Sequence, residues 1–294
     1  MVGRKLFSED DYIDHRYSPS DPDMVRRRAV LRETIDRFLA DDSLNKYKLL
    51  AQSNLERWRS EASGHEQRHQ VYVVSGDWGD VTQEFTKCYG CCFAALNMAN
   101  AFIPGGAYVE GSPAQEENMF RRTNCHFSIG PDEYDEARDC YHPFMTSLLS
   151  GENGRVFLDT SNPRVCIRGS EDRSRDDLGY AWLPADEVFP FYELRAAAQD
   201  LRDGSNFSES NARNRIAAQL DTMIEQNVRH AILGASGCGA FMNPTEWVAE
   251  LYREEIEKRK QQFSVITFAI FDPGYGPGNL APFQKVFNDT IELG

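Results

Sequence analysis

The sequence predicts an α/β protein whose sheet is covered by helices on both faces. Three observations carry this. Apolar runs that do not alternate with polar residues read as buried strands: VYVVSG from Val71, HAILGA over 230–235 and SVITFAIF over 264–271. Between them lie stretches with apolar residues at helical spacing, as in 209–227, where Ile216, Leu220, Met223 and Ile224 share a face. The chain has 294 residues, 41% hydrophobic and 27% charged, which suits one large globular domain or two small ones.

In chain order, residues 1–20 are polar and expected to be mobile or wrapped on the surface. Residues 22–41 predict a helix, with Val25, Leu31, Ile35, Phe38 and Leu39 near helical spacing. Residues 46–62 repeat the pattern with Leu49, Leu50, Leu55 and Trp58, and SGHEQRH over 63–69 breaks it. CCFAALNMA over 91–99 predicts a strand and 113–122 a helix. RVCIRG over 164–169 and VFPFYEL over 188–194 predict strands. After the helix at 209–227 and the strand at 230–235 come a helix over 244–260, the strand at 264–271 and a helix over 279–288. Residues 127–187 are rich in Asp, Glu, Gly, Arg and Ser and read as a partly structured insertion over one edge. The division is a helical extension over 1–65 and a core over 66–294.

Charge and cysteine content narrow the function. Lys and Arg number 32 against 46 Asp and Glu, a net charge of −14. That argues against binding duplex nucleic acid or anionic membranes, which need basic surface, but leaves room for a small nucleotide held by local donors. Seven cysteines, an odd number spread along the chain, point to a reducing compartment. The start lacks an apolar stretch and no window is apolar enough to span a bilayer, so an intracellular location, cytoplasmic or nuclear, is expected.

Two glycine turns carry the candidate chemistry. The first runs from Asn97 through Asn100, Pro104, Gly105, Gly106 and Ala107 to Gln115, Glu116 and Glu117. The sequence predicts a helix with Ser112 as N-cap, Pro113 at the first position and Gln115 completing a capping box. Two adjacent carboxylates then stand at the start of a helix, beside a flexible loop at a strand's C-terminal end, where open α/β sheets bind ligands. Acidic residues also favour that position for dipole reasons alone. The second turn is Gly234-Ala235-Ser236-Gly237-Cys238-Gly239-Ala240-Phe241, followed by Asn243-Pro244-Thr245-Glu246 as cap, first position and acid. Its glycines let backbone N–H groups approach phosphate oxygens, or simply make a tight turn.

Other constellations are thinner. Cys88-x-x-Cys91 lacks a second pair, and His126 and His142 have no metal spacing, so no metal site is expected. Ser236 sits in something like a nucleophile elbow, but Cys238 stands where that motif needs glycine. The acidic run Asp132, Glu133, Asp135, Glu136 and Asp139 reads as a solvated face. Phe241 could be core or could stack on a ligand ring.

Taken together, the two turns resemble the macrodomain type of poly(ADP-ribose) glycohydrolase, in its shorter microbial form. That family carries a Gly-Gly-Gly loop followed shortly by Gln-Glu-Glu, here Gly105-Gly106-Ala107 and Gln115-Glu116-Glu117. The lead-in Asn97-x-Ala99-Asn100, Pro104, the segment Gly237-Cys238-Gly239-Ala240-Phe241 and a weaker pattern over Arg28–Thr34 also match. The resemblance implies a three-layer α/β/α macrodomain with a mixed sheet, an N-terminal helical extension and hydrolysis of ADP-ribosyl bonds, with neither cofactor nor metal. The partner it implies is ADP-ribose, as polymer or on protein side chains, arginine among them, and the chain is expected to be a monomer. It makes Glu117 the acid/base, and gives Glu116 and Asn100 the ribose or leaving-group hydroxyls. Loop 234–239 holds the diphosphate and Phe241 the adenosine side. The alternative is an ADP-ribose reader without hydrolysis. Ala107 departs from the third glycine, and a backbone there that needed positive φ or close ligand approach would resent its methyl group.

Overall fold

Helix α1 (Pro22–Leu39) begins where Asp21 accepts hydrogen bonds from Asp23 N and Met24 N, with Pro22 in the first turn. Helix α2 (Ser43–Glu61) follows. Both match the helices expected. The structure, a computed structural model, describes residues 3–6, 21–40, 43–62, 69–272 and 278–287. Most of the 1–20 segment and of the break at 63–69 lies outside the described residues.

The core is a seven-stranded mixed sheet. Strands β1 (Gln70–Ser75), β9 (Val265–Ile270), β8 (His230–Leu233), β2 (Ala94–Met98) and β7 (Phe189–Ala196) run parallel in that spatial order. β5 (Phe157–Leu158) and β6 (Arg164–Cys166) both pair antiparallel with β7. The insertion read over 127–187 thus supplies one edge of the sheet, together with the small pair β3 (Tyr134–Asp135) and β4 (Cys140–Tyr141) and helix α5 (Pro143–Leu149).

Alternation along the strands sorts side chains onto two faces. Val73, Leu96, Leu194, Leu233, Ile266 and Phe268 pack with helices α6 (Glu209–Glu225), α7 (Thr245–Glu257) and α8 (Leu280–Phe287). Val74, Ile232 and Ala269 pack with Val81 and Phe85 of helix α3 (Trp78–Tyr89) on the other face. Beside α3, Leu31 and Ile35 of α1 and Trp58 of α2 cluster with Met119 and Phe120 of helix α4 (Gln115–Arg122). This is the three-layer α/β/α fold with a mixed sheet that was expected.

Two expectations need correction. α3 lies in a stretch where no element was expected, although Asp77 caps its start by accepting from Gly79 N and Asp80 N, and Gly90 closes it in the left-handed region. And the first segment is not all surface: Arg4 is 3% exposed and fully engaged with the core domain.

A candidate active site at the splayed ends of two strands

β2 and β8 pair only at Ala94 and Ala95, then diverge. The divergence leaves the backbone of Leu96 and Met98 without a strand on that side. Gln115 fills the gap: its Oε1 accepts from Met98 N and its Nε2 donates to Leu96 O, both at 2.9 Å. The capping box expected at Ser112 does not form. α4 starts at Gln115, after an N-cap Ala114 whose methyl side chain cannot bond, and the Gln115 amide that would complete the box is spent on β2. Gln115 thus ties the start of α4 to β2.

Anchoring Gln115 puts Glu116 and Glu117 in the first turn of α4, both buried, at 3% and 7% exposure. Each carboxylate is fixed by one backbone donor from the loop opposite. Asn100 N donates to Glu116 Oε2 at 2.7 Å, and Ala107 N to Glu117 Oε1 at 3.0 Å. Each keeps a second oxygen, Glu116 Oε1 and Glu117 Oε2, buried with no hydrogen-bond partner. Two such atoms on adjacent residues are costly unless they serve a ligand or carry a proton. Burial, and then the neighbouring Glu117, push the Glu116 carboxyl well above the ordinary carboxylate range. Burial pushes Glu117 up as well, against the pull of the Ala107 N–H.

The loop between them fits only glycine at its crest. Gly105 and Gly106 both sit at positive φ, +71° and +58°. A Cβ on Gly106 would stand 2.6 Å from Glu117 Oε1 and 3.0 Å from Glu116 Oε2. Ala107 is not in the left-handed region. Its methyl group therefore costs the backbone nothing, and its N–H holds Glu117. Asn100 is occupied too: its Oδ1 accepts from Phe102 N and Ile103 N, closing the turn that aims its own N–H at Glu116.

The second turn follows β8. Gly237 sits at φ +75°, and a Cβ there would meet Ala198 Cβ at 2.5 Å and Asn243 Nδ2 at 2.6 Å. Asn243 does not cap α7, which begins at Thr245 with no side-chain cap bond. Its Nδ2 donates instead to Gln199 O, Gly237 O and Phe241 O, stapling the base of the turn. The crest is open: Gly239 and Ala240 are exposed, and a Cβ on Gly239 would meet nothing within 4 Å. Phe241 is half-buried with the Arg202 guanidinium over its ring, 4.9 Å from the centroid. Burial pushes the Cys238 thiol up to about 12. Among the described residues neither Ser236 nor Cys238 is bonded to a histidine, which removes the support for a hydrolase built on either. No cluster able to hold a metal is found among the described residues.

Residues 27–149, from α1 to α5, match the family model of the microbial-type PARG catalytic domain, where PARG is poly(ADP-ribose) glycohydrolase. The chain resembles microbial-type PARG in sequence and in fold. The solved PARG of Thermomonospora curvata aligns over 89% of this chain and 99% of its own, with TM-score 0.61 and 19% identity. The same protein bound to the inhibitor ADP-HPD aligns over 88% and 98%, with TM-score 0.59 and 20% identity. PARG of Deinococcus radiodurans in complex with ADP-ribose aligns over 81% and 91%, with TM-score 0.54 and 23% identity. No curated protein sequence matches the chain. The PARG family match spans the carboxylate loop and α4; the glycine turn at 234–241 lies beyond it.

Sequence reasoning missed the residues that hold the carboxylate loop from behind. Tyr108 Oη is bonded to His126 Nδ1 at 2.9 Å, and burial lowers His126 to about 4, keeping it neutral. Arg122 of α4 bonds Asp77, the N-cap of α3, and Asp80 within it. Tyr180, Arg27 and Arg121 converge on Glu171. Burial opposes these bonds, yet they hold its carboxylate at about 2. The acidic run expected to be solvated also turns partly inward: Glu133 takes a bond from the buried Arg195, and Asp139 from Arg4.

Proposed function

We propose that this chain is an ADP-ribosyl glycohydrolase acting at the ribose glycosidic bond of poly(ADP-ribose) or of ADP-ribosylated protein side chains. The observation that carries the reading is the pair of buried carboxyls, each tied by one oxygen to a loop N–H and each with the other oxygen unpartnered. Cleavage at a ribose passes through an oxocarbenium-like state, so the leaving group needs a proton and a water must be activated on the way to product. One carboxyl can do both in turn. Glu117 takes that part. Burial keeps its proton to higher pH than an exposed glutamate would, which suits a general acid near neutrality. Glu116 positions the ribose or leaving-group hydroxyls through Oε1. The open crest at Gly239 and Ala240 takes the diphosphate on backbone N–H groups near the start of α7, with Gly234, Ser236, Gly237 and Cys238 shaping that loop. Phe241 borders the adenosine side.

With this reading go a helical extension over 1–65 on a macrodomain over 66–294, action as a monomer and an intracellular location. No helix among the described residues is long and apolar enough to cross a membrane.

The test is incubation with poly(ADP-ribose) and with proteins carrying single ADP-ribose units of defined linkage, alongside a melting curve with free ADP-ribose. Release of ADP-ribose supports the hydrolase. A raised Tm without release on any linkage makes the chain a reader, since a ligand selective for the folded state stabilises it. Neither signal at millimolar ADP-ribose removes both.

A further inference from the structure

The carbonyl of Gly106 and the N–H of Ala107 belong to one peptide unit. The N–H donates to Glu117 Oε1 at 3.0 Å, and the carbonyl accepts from Arg4 Nη1 at 2.6 Å. In a trans peptide these two groups point in opposite directions, so the unit lies between a buried guanidinium and a buried carboxyl. We propose that Arg4 is a positioning residue for Glu117, acting through the Gly106–Ala107 peptide.

The argument starts from the glycine. Gly106 is at positive φ and has no side chain to resist rotation of the peptide that follows it. A flip of that peptide would withdraw the N–H and aim the carbonyl oxygen at Glu117. The orientation therefore has to be set from outside the loop, and Arg4 sets it. A cation on the carbonyl also polarises the amide, which makes its N–H a stronger donor to Glu117.

Arg4 is itself aimed. Its Nε and Nη2 bind Asp139 Oδ1 and Oδ2 at 2.8 and 2.5 Å, and Nη2 reaches Glu110 Oε1 at 3.2 Å. Its guanidinium lies 5.7 Å from the centroid of the Tyr108 ring. Asp139 sits at φ +50°, a conformation few non-glycine residues adopt, and Tyr134 Oη donates to its Oδ1 at 2.5 Å. A salt bridge that only fastened the first segment to the surface would need neither the burial nor the bond to Gly106.

The other charges around Glu117 are Glu116 and Arg121 on α4 and Glu110 on the loop. None of them touches the Gly106–Ala107 peptide oxygen. Losing the Ala107 N–H removes a donor that favours the ionised form, so Glu117 must hold its proton to higher pH.

The kinetic arm of the test rests on the glycohydrolase reading, and the spectroscopic arm does not. In protein labelled with carboxyl-¹³C glutamate, the Glu117 resonance is assigned by its loss in Glu117→Gln and titrated in wild type and in Arg4→Ala. The titration midpoint is expected to rise by about one pH unit, the scale of one charge-assisted hydrogen bond. With poly(ADP-ribose), kcat should fall about tenfold or more while the Kd for ADP-ribose stays within about threefold, the split expected when a transition-state group is misplaced. Arg4→Lys should recover part of both, because an ammonium can reach Gly106 O but cannot also fork onto Asp139. If Arg4→Ala does not fold, Arg4→Gln, which keeps a donor without the charge, carries the comparison with a smaller shift in the same direction. A Glu117 midpoint that stays put in the folded variant overturns the proposal. An inactive wild type with a shifted midpoint overturns the glycohydrolase reading alone.

Discussion

The two glycine turns stand at the ends of neighbouring strands and use glycine for opposite purposes. At the end of β2, the crest of the turn is crowded. Gly106 lies against both carboxyls, and the N–H groups of Asn100 and Ala107 and the carbonyl of Gly106 are committed to Glu116, Glu117 and Arg4 in turn. At the end of β8, the base is crowded and the crest is empty. Gly237 is pressed against Ala198 and Asn243, while Gly239 faces open space. A loop filled by the protein's own groups positions those groups. A loop stapled below and open above leaves room for something else. The contrast supports the proposal that the first turn performs chemistry and the second holds the ligand.

The largest effect should come from placing a methyl group at the crest of the first turn. Gly106→Ala drives a Cβ into Glu117 Oε1 and forces alanine to positive φ. It should cut turnover by about a hundredfold or more, as misplacement of reacting groups by roughly an ångström does, and lower Tm as well. Gly239→Ala has no neighbour to displace and should leave Tm within experimental error; Gly239→Leu should keep the fold and lose ADP-ribose affinity. Calorimetry and melting curves on the three variants check this. Equal loss of stability at both crests would dissolve the contrast.

A smaller effect separates the buried carboxyls from ordinary surface acids. A carboxyl whose folded pKa is raised binds more protons folded than unfolded, so its contribution to stability falls as pH rises from the unfolded value near 4.3 through the folded one. Glu116→Gln removes that loss and retains an acceptor for Asn100 N. Its Tm should exceed that of wild type by roughly 2–4 °C near pH 8, the scale of about 1 kcal/mol in a chain somewhat smaller than this, and the gap should close near pH 4. A gap independent of pH would mean that Glu116 is not a buried ionising group.

How much of this was legible in the sequence follows from what each feature depends on. The sheet strands were legible because β8 and β9 are buried on both faces, and β1 at Val73 and Val74, and all three read as apolar runs. α3 was not, although Asp77, the Trp78–Val81–Phe85 spacing and Gly90 mark it, because it is a short helix between two stronger strands. The placement of Glu116 and Glu117 at the start of a helix beside the glycine loop was legible from their motif. Gln115 was misread because its local pattern suits a capping box, whereas the unpaired backbone of Leu96 and Met98, set by tertiary splay, claims the amide first. Arg4 was read as surface, since nothing in its neighbours announces a contact with Gly106 a hundred residues away.

The smallest effect expected is at Ala107. Its backbone is unstrained and its N–H is the part in use, so Ala107→Gly changes only a methyl group, on the turn proposed to face the ribose. It should alter the ratio of chain-cleaving to single-unit hydrolysis while the Kd for ADP-ribose stays within a few-fold, because the diphosphate is assigned to the other turn. Both rates and one dissociation constant for each variant measure it. An unchanged ratio would move substrate selection to the insertion over 127–187.

The central claim, that the first turn performs chemistry and the second holds the ligand, is tested most directly by Glu117→Gln. Single-turnover release of ADP-ribose and the Kd for free ADP-ribose are measured on the same preparation of wild type and variant. The amide keeps the shape and the acceptor for Ala107 N but cannot give or take the proton. The account predicts a rate lower by at least about two powers of ten, the usual scale of general acid–base help, with Kd changed by no more than a few-fold. Equal rates in wild type and variant, or a loss of affinity that matches the loss of rate, would contradict it.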